Sequence, residues 1–300
     1  MKKLRHLLEF ALAWAGLKLI RLLPDRLIAT ITVVLADAYY GLARTRRQIA
    51  YRNVLDSGIA DNPAEAARIA RHSFRHFGLV VIESLTSSRY LTEETWQDHI
   101  QLDLDAESER LIREDGRGVI LASGHLGNWE IAAQVVSYLK PVSGITRVMN
   151  NPYVEELVQR HKPRNRFTLT PKRDANSARF LGAIRDGKIL AFMIDQFARD
   201  RGMMIDFFGR PASTHTAIAL LHLVSQAPLI FGYSRRIAPR QFEFKAFPPI
   251  RIERSGDKQR DLRSILDALT QYLEDAIRES PEQYLWAHRR WRVPARSSRH

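Results

Sequence analysis

Apolar residues fall along this chain in two rhythms. In the first 45 residues they gather in two long runs, LLEFALAWAGLKLIRLL over 7–23 and LIATITVVLADAYYGLA over 27–43. From about residue 60, short apolar runs alternate with stretches of helical period. Asn62-Pro63-Ala64-Glu65 reads as a helix start, with an Asn cap, Pro at the first helical position and Glu placed to close a capping box. That helix is predicted to reach about Leu85. GVILAS over 118–123 is a glycine-bounded apolar run and is predicted as a buried strand. Further strands are predicted at 144–148, 166–170, 188–194, 203–208, 229–234 and 242–247. Helices are predicted at 128–139, 152–161, 177–186 and 216–226, with a last one from Asp261 to Glu279 that stops before Pro281. Strands alternating with helices predict an α/β fold, a mostly parallel sheet flanked by helices. No long polar linker divides the chain, so one domain over 46–300 preceded by a helical segment over 1–45 is the simplest organisation.

The N-terminal runs raise a membrane question. Glu9 inside the first run, and Lys18 and Arg21 where a cleavage site would fall, argue against a cleaved signal peptide. The second run carries only Asp37 and is followed by Arg44, Arg46 and Arg47, the positive flank expected on a cytoplasmic side. Residues 1–45 are therefore expected to anchor the chain to a membrane, by one imperfect span or by two helices lying at the interface. A buried helical hairpin would carry the same pattern.

Charge narrows the partners. With 46 Lys plus Arg against 33 Asp plus Glu the chain stands at +13, a balance suited to an anionic membrane, an acidic protein or nucleic acid. Cysteine is absent, which excludes a disulfide scaffold, a Cys-ligated metal and a Cys nucleophile.

The sharpest chemical feature is Ser123-Gly124-His125-Leu126-Gly127-Asn128-Trp129-Glu130, where a predicted strand gives way to a helix, the edge at which α/β sheets bind ligands. With His125 in the loop and Glu130 in the first helical turn, Glu130 could hold one ring nitrogen and leave the other free as a base for an attacking alcohol. A His beside an unrelated Glu would give the same short pattern. Asp195 ends another predicted strand at the same sheet edge and could organise the site, hold Arg147 or cap a turn. Arg199, Arg201 and Arg210 around Phe207-Phe208 read either as a phosphate clamp or as a solvated loop. His215 and His222 are expected on one helix face, with no third ligand for a metal. Trp286, Trp291 and the arginines from Arg289 to Arg299 could meet lipid head groups or, by charge and stacking, nucleic acid.

His-x4-Asp/Glu after an apolar strand resembles the lysophospholipid/glycerolipid acyltransferase superfamily. The form GHLGNWE resembles its lipid A biosynthesis lauroyl/myristoyl acyltransferase family. Other blocks fit in order: Tyr51-Arg52-Asn53-Val54, then His72-Ser73-Phe74 with Glu83, Thr146-Arg147 with Asn150-Asn151-Pro152, Met193-Ile194-Asp195-Gln196, Asp206-Phe207-Phe208-Gly209, and the closing stretch from Pro281 to Trp291. Thr146 stands where the family usually has Tyr, and Val148 where it has Pro. The resemblance implies an O-acyltransferase at the cytoplasmic face of a bacterial inner membrane, moving an acyl chain from an acyl carrier protein thioester to a hydroxyl of a phosphorylated glycolipid, a lipid A precursor. It implies His125 and Glu130 as catalytic pair, and Gly127, Asn128, Arg147, Asp195 and Gln196 as substrate contacts. It implies no cofactor, no metal and no nucleic acid. Coenzyme A as donor, another glycolipid or phospholipid as acceptor, and a non-catalytic basic membrane- or nucleic-acid-binding protein are the alternatives.

Overall fold

The computed structural model of the chain describes residues 2–113, 116–146, 148–161, 166–199 and 202–292. The N-terminal runs form helices α1 (Lys2–Leu22) and α2 (Asp25–Leu42), followed by α3 (Arg44–Asp56) and the long α4 (Pro63–Thr86). Asn62 caps α4, its side chain accepting from Glu65 N at 2.9 Å, while the Glu65 carboxylate reaches back to Asp61 N at 3.1 Å.

The body alternates as the apolar rhythm predicts. After α4 come β1 (Ile100–Leu104), α5 (Ala106–Arg113), β2 (Val119–Ser123), α6 (Trp129–Leu139), β3 (Val142–Thr146), α7 (Pro152–His161) and β4 (Phe167–Pro171). There follow α8 (Ser177–Arg185), β5 (Ile189–Met193), a hairpin of β6 (Met203–Phe207) and β7 (Arg210–Thr214), α9 (Ala217–Ser225), β8 (Leu229–Ala238), β9 (Gln241–Ala246) and α10 (Lys258–Glu279). Seven strands form one sheet in the order β1-β9-β8-β2-β5-β3-β4. Every pairing in it is parallel except β8 with β9.

The central strands are apolar on both sides, as a sheet covered on both faces requires. Ile120 and Ala122 of β2 join one core with α4, α9 and α10. Val119 and Leu121 face a second core built with α5 and α6. β1, α5 and β7 extend the expected set of elements.

The helices of residues 2–42 lie against this body. Ile28, Thr32 and Ala36 of α2 are buried, and Gly78 of α4 lets Thr32 and Ala36 come close, since a Cβ there would stand 3.1 Å from Thr32 Cγ2. Asp37 takes bidentate hydrogen bonds from both Arg71 and Arg75 of α4. The opposite face of α2, with Leu27, Ile31, Val34, Leu35, Tyr39 and Leu42, is exposed. α1 meets α7, where Asn151 donates to His6 O and to Glu9 Oε2 at 2.8 and 2.9 Å, and its Leu4, Leu8, Leu12, Trp14 and Leu19 are exposed. No single described helix is long and apolar enough to cross a membrane. α2 and α3 reach that length only as a pair bent by 94°.

Candidate active site

The register of the sheet builds the site. β2 and β5 run parallel with Ser123 opposite Met193, so the residues two beyond each pair, His125 and Asp195, leave the same edge side by side. The Asp195 carboxylate grips His125 twice. Oδ1 lies 2.8 Å from Nδ1 of the ring, and Oδ2 accepts the His125 backbone N–H at 2.8 Å. A carboxylate only accepts, so Nδ1 carries a proton, and in the neutral ring Nε2 is the acceptor. At Gly124 a Cβ would stand 2.7 Å from Leu273 Cδ1, so Leu273 packs against the loop where a side chain would otherwise sit.

The orienting carboxylate expected at Glu130 is thus supplied by Asp195. α6 begins at Trp129, whose ring meets the imidazole edge-on with centroids 5.0 Å apart. Glu130, in the first turn of α6, lines the cavity beside the ring. Burial disfavours the imidazolium, but the Asp195 charge and hydrogen bond, with a smaller contribution from Glu130, outweigh it and set the His125 pKa above its ordinary value. Asp195 is buried, which by itself would raise its pKa; His125, and more weakly Arg290, hold it below the usual carboxylate range instead.

Gly127 and Asn128, expected at the substrate, are framework of the loop. Gly127 sits at φ +57°, and a Cβ on it would fall 1.7 Å from Ser234 O. Asn128 is fully buried. Its Oδ1 caps α6 by accepting from Ile131 N at 3.1 Å, and its amide donates to Glu83 Oε2 at 3.1 Å. Glu83 of α4 is paired in turn with Arg236 of β8, Nε to Oε1 at 2.6 Å. The loop's backbone is held by the closing stretch of the chain: Gly127 N donates to Gln283 O and Leu285 N to His125 O, each at 3.0 Å. We expect Gly127→Ala to lower stability by about 2–4 kcal/mol, because the added methyl meets backbone oxygen in a left-handed conformation; thermal unfolding measures it.

His125 opens on a cavity of about 720 Å³. Its polar lining includes Ser123, His125, Glu130, Thr146, Gln196 and His215. Its walls are Trp129, Ile145, Phe167, Leu169, Phe180, Phe192 and Ile218. The Gln196 amide nitrogen stands 3.5 Å from His125 Nε2, the position where an attacking hydroxyl would come. Asp195 is behind the ring rather than on the cavity wall. Arg147 and Arg201 lie outside the described residues.

Other expectations are corrected. Arg210 pairs with Asp56 at 3.1 Å and lies over the Trp291 ring at 4.7 Å, contacts that engage it within the fold. His215 precedes α9 and lines the cavity, while His222 within α9 bonds Ala227 O at 2.8 Å; the two do not share a helix. Among the described residues no group of three or more His, Asp or Glu could hold a metal ion. Trp286 and Arg290 are buried in the body rather than offered to head groups. Arg296 and Arg299 lie outside the described residues.

The comparisons of sequence agree with one another. The chain is 22% identical over 295 residues to the lipid A biosynthesis palmitoleoyltransferase of Escherichia coli, covering 95% of this chain and 92% of that protein. It is 21% identical, at the same coverage, to the lipid A biosynthesis lauroyltransferase of the same organism. The crystal structure of the 1-acyl-sn-glycerophosphate acyltransferase PlsC from Thermotoga maritima aligns over 84% of this chain and 96% of its own. At TM-score 0.37 and 8% identity, that likeness is too loose to bear on the fold or the chemistry. The family described as bacterial lipid A biosynthesis acyltransferase matches residues 1–293. With so nearly the whole chain matched, this protein belongs to the bacterial lipid A biosynthesis acyltransferase family and is an O-acyltransferase.

Proposed function

We propose that this enzyme moves a fatty acyl chain from an acyl carrier protein thioester to a hydroxyl of a lipid A precursor, with His125 as general base held by Asp195. The observation that carries the reading is the His125–Asp195 pair, 2.8 Å apart, with His125 lining a largely apolar cavity. His125 Nε2 takes the hydroxyl proton as the oxygen attacks the thioester carbonyl. The carbon–sulfur bond then breaks, and the departing thiolate recovers the proton from the imidazolium. The new bond is an ester. With no cysteine in the chain, transfer is direct, without a Cys-bound acyl enzyme. Glu130, beside the ring, favours the imidazolium as it forms. Gln196 offers its amide to the reacting oxygens. The aromatic and aliphatic walls suit the acyl chain, whose burial contributes about 0.8 kcal/mol per methylene.

The same reading puts the enzyme on the cytoplasmic face of the bacterial inner membrane. The net charge of +13 suits an anionic surface, a phosphorylated acceptor and an acidic carrier. The exposed apolar faces of α1 and α2 suit helices lying in the interface.

The test has two arms. Purified full-length enzyme with a lipid A precursor should form ester from an acyl carrier protein thioester far faster than from the coenzyme A thioester; ester from neither would overturn the reading. In flotation with anionic phospholipid vesicles, Val34→Glu/Leu35→Glu should weaken binding about tenfold or more. Unchanged flotation would remove α2 from the membrane face.

A further inference from the structure

The helix that follows α2 carries charge that the fold does not use. α3 holds Arg44, Arg46, Arg47 and Arg52 against a single carboxylate, Asp56, which Arg210 takes at 3.1 Å. Among the described residues none of these four arginines has a carboxylate partner. Arg47 Nη1 donates to Tyr40 O and Gly41 O at the end of α2, at 3.3 and 3.1 Å. Arg46 Nη1 donates to Ala287 O at 3.0 Å. The side chains of Arg44 and Arg52 are exposed and make no hydrogen bond among the described residues. With the exposed Gln48 they stand at i, i+4 and i+8, so they share one helix face and span about 12 Å.

This helix sits beside the catalytic edge. The Asn53 side chain donates to Trp286 O and to His288 O, both at 2.8 Å, and so ties α3 to the closing stretch. The same stretch donates Leu285 N to His125 O at 3.0 Å and accepts Phe197 N on the His288 ring at 3.3 Å. Phe197 follows Gln196, which lines the cavity. One segment of chain therefore separates α3 from the loop that holds His125. The exposed residues of α3 are all polar, whereas α1 and α2 expose Leu, Ile, Val and Trp. α3 also departs from α2 through a 94° bend. A bilayer surface favours a face that mixes basic with apolar side chains. A face that is basic and wholly polar suits an acidic protein met in water.

We propose that the Arg44–Arg52 face of α3 docks the acyl donor, a small acidic carrier protein whose acyl chain rides on a flexible thioester arm. This rests on the reading of an acyl carrier protein thioester as donor, and it gives that partner a place on the molecule. Carboxylates of the carrier meet Arg44 and Arg52, and the arm passes the closing stretch to bring the thioester carbonyl to His125. These charges sit on an exposed rim, so they act on encounter and on its salt dependence rather than on bond making.

The test uses full-length wild type, Arg44→Glu/Arg52→Glu and Arg44→Lys/Arg52→Lys, each checked by thermal unfolding. Arg46 stays, because it holds Ala287. Binding of labelled acyl carrier protein is followed by fluorescence anisotropy, which needs no turnover. The charge reversal should raise the Kd about tenfold or more and flatten its dependence on salt, while the Lys pair stays within about threefold of wild type. KM should rise for the carrier thioester and far less for an acyl-pantetheine thioester, which keeps the arm and lacks the protein. Flotation with anionic vesicles should hold. A folded reversal variant that binds the carrier as wild type does would overturn the proposal. So would a loss of flotation in step with carrier binding, which would give these arginines to lipid head groups. Should the reversal fail to fold, Arg52→Gln alone should weaken carrier binding about threefold, and no loss there would count against the proposal. A wild type that binds no carrier would overturn the donor reading itself, and this surface with it.

Discussion

His125→Ala is expected to lower kcat by about 10⁴-fold or more while leaving the fold intact, since loss of a base in comparable dyads and triads costs that much. The ring is held from behind and from the side. Its Nδ1 is tied to Asp195, its backbone to Asp195 and Leu285, and its edge packs on Trp129. Truncation removes the proposed base and keeps the backbone bonds to Asp195 and Leu285, but it leaves the buried Asp195 Oδ1 without its ring partner, so some loss of stability accompanies the loss of activity. On the proposed reading the acyl chain lies along the apolar walls, so the apparent KM should change less than kcat. Steady-state kinetics on the purified variant separates the two constants.

Asp195→Asn is the second large effect, about 10³–10⁴-fold in kcat. The amide can turn its N–H₂ toward Nδ1 and shift the ring to the tautomer with its proton on Nε2, where the acceptor hydroxyl needs a base. The sign of the pH dependence follows from the pair. Asp195 raises the His125 pKa, and the base works only when neutral. Wild-type kcat/KM should therefore fall as pH drops through a value above the ordinary 6.5 of histidine. In Asp195→Asn the residual activity should keep its acid limb at lower pH. Glu130→Gln is the comparison: it removes a weaker field without touching Nδ1, so its loss should be smaller and its limb should move less. A Glu130→Gln loss equal to that of Asp195→Asn would restore Glu130 to the orienting role.

The residue pattern foretells most of the fold. Central strands such as β2 and β5 are apolar on both faces, and that continuous burial makes short runs like VILAS legible. β1 is open to the same reading, because IQLDL alternates apolar with polar residues and buried with exposed ones as a half-buried edge strand does, but the run is only five residues long. β7 escapes because RPAST has almost no apolar signal; it is a strand through its tight turn at Phe208-Gly209, both at positive φ, and through pairing with β6. In the site, His125 is plain from its glycine-flanked place after a strand. Its partner is less so, because the choice between Glu130 and Asp195 depends on the Ser123–Met193 register, a relation between strands 70 residues apart that no local spacing encodes. The same limit hides Arg290. In sequence it is one of several C-terminal arginines; only the packing of Trp286, Tyr284 and the β6–β7 hairpin turns it inward.

The most direct measurement is the mass of a lipid A precursor after incubation with an acyl carrier protein thioester and the purified enzyme. With wild type the precursor should gain the mass of one fatty acyl ester; with His125→Ala and Asp195→Asn it should stay unchanged over the same time. A precursor left unmodified by wild type, or acylated at a comparable rate by His125→Ala, would contradict the account.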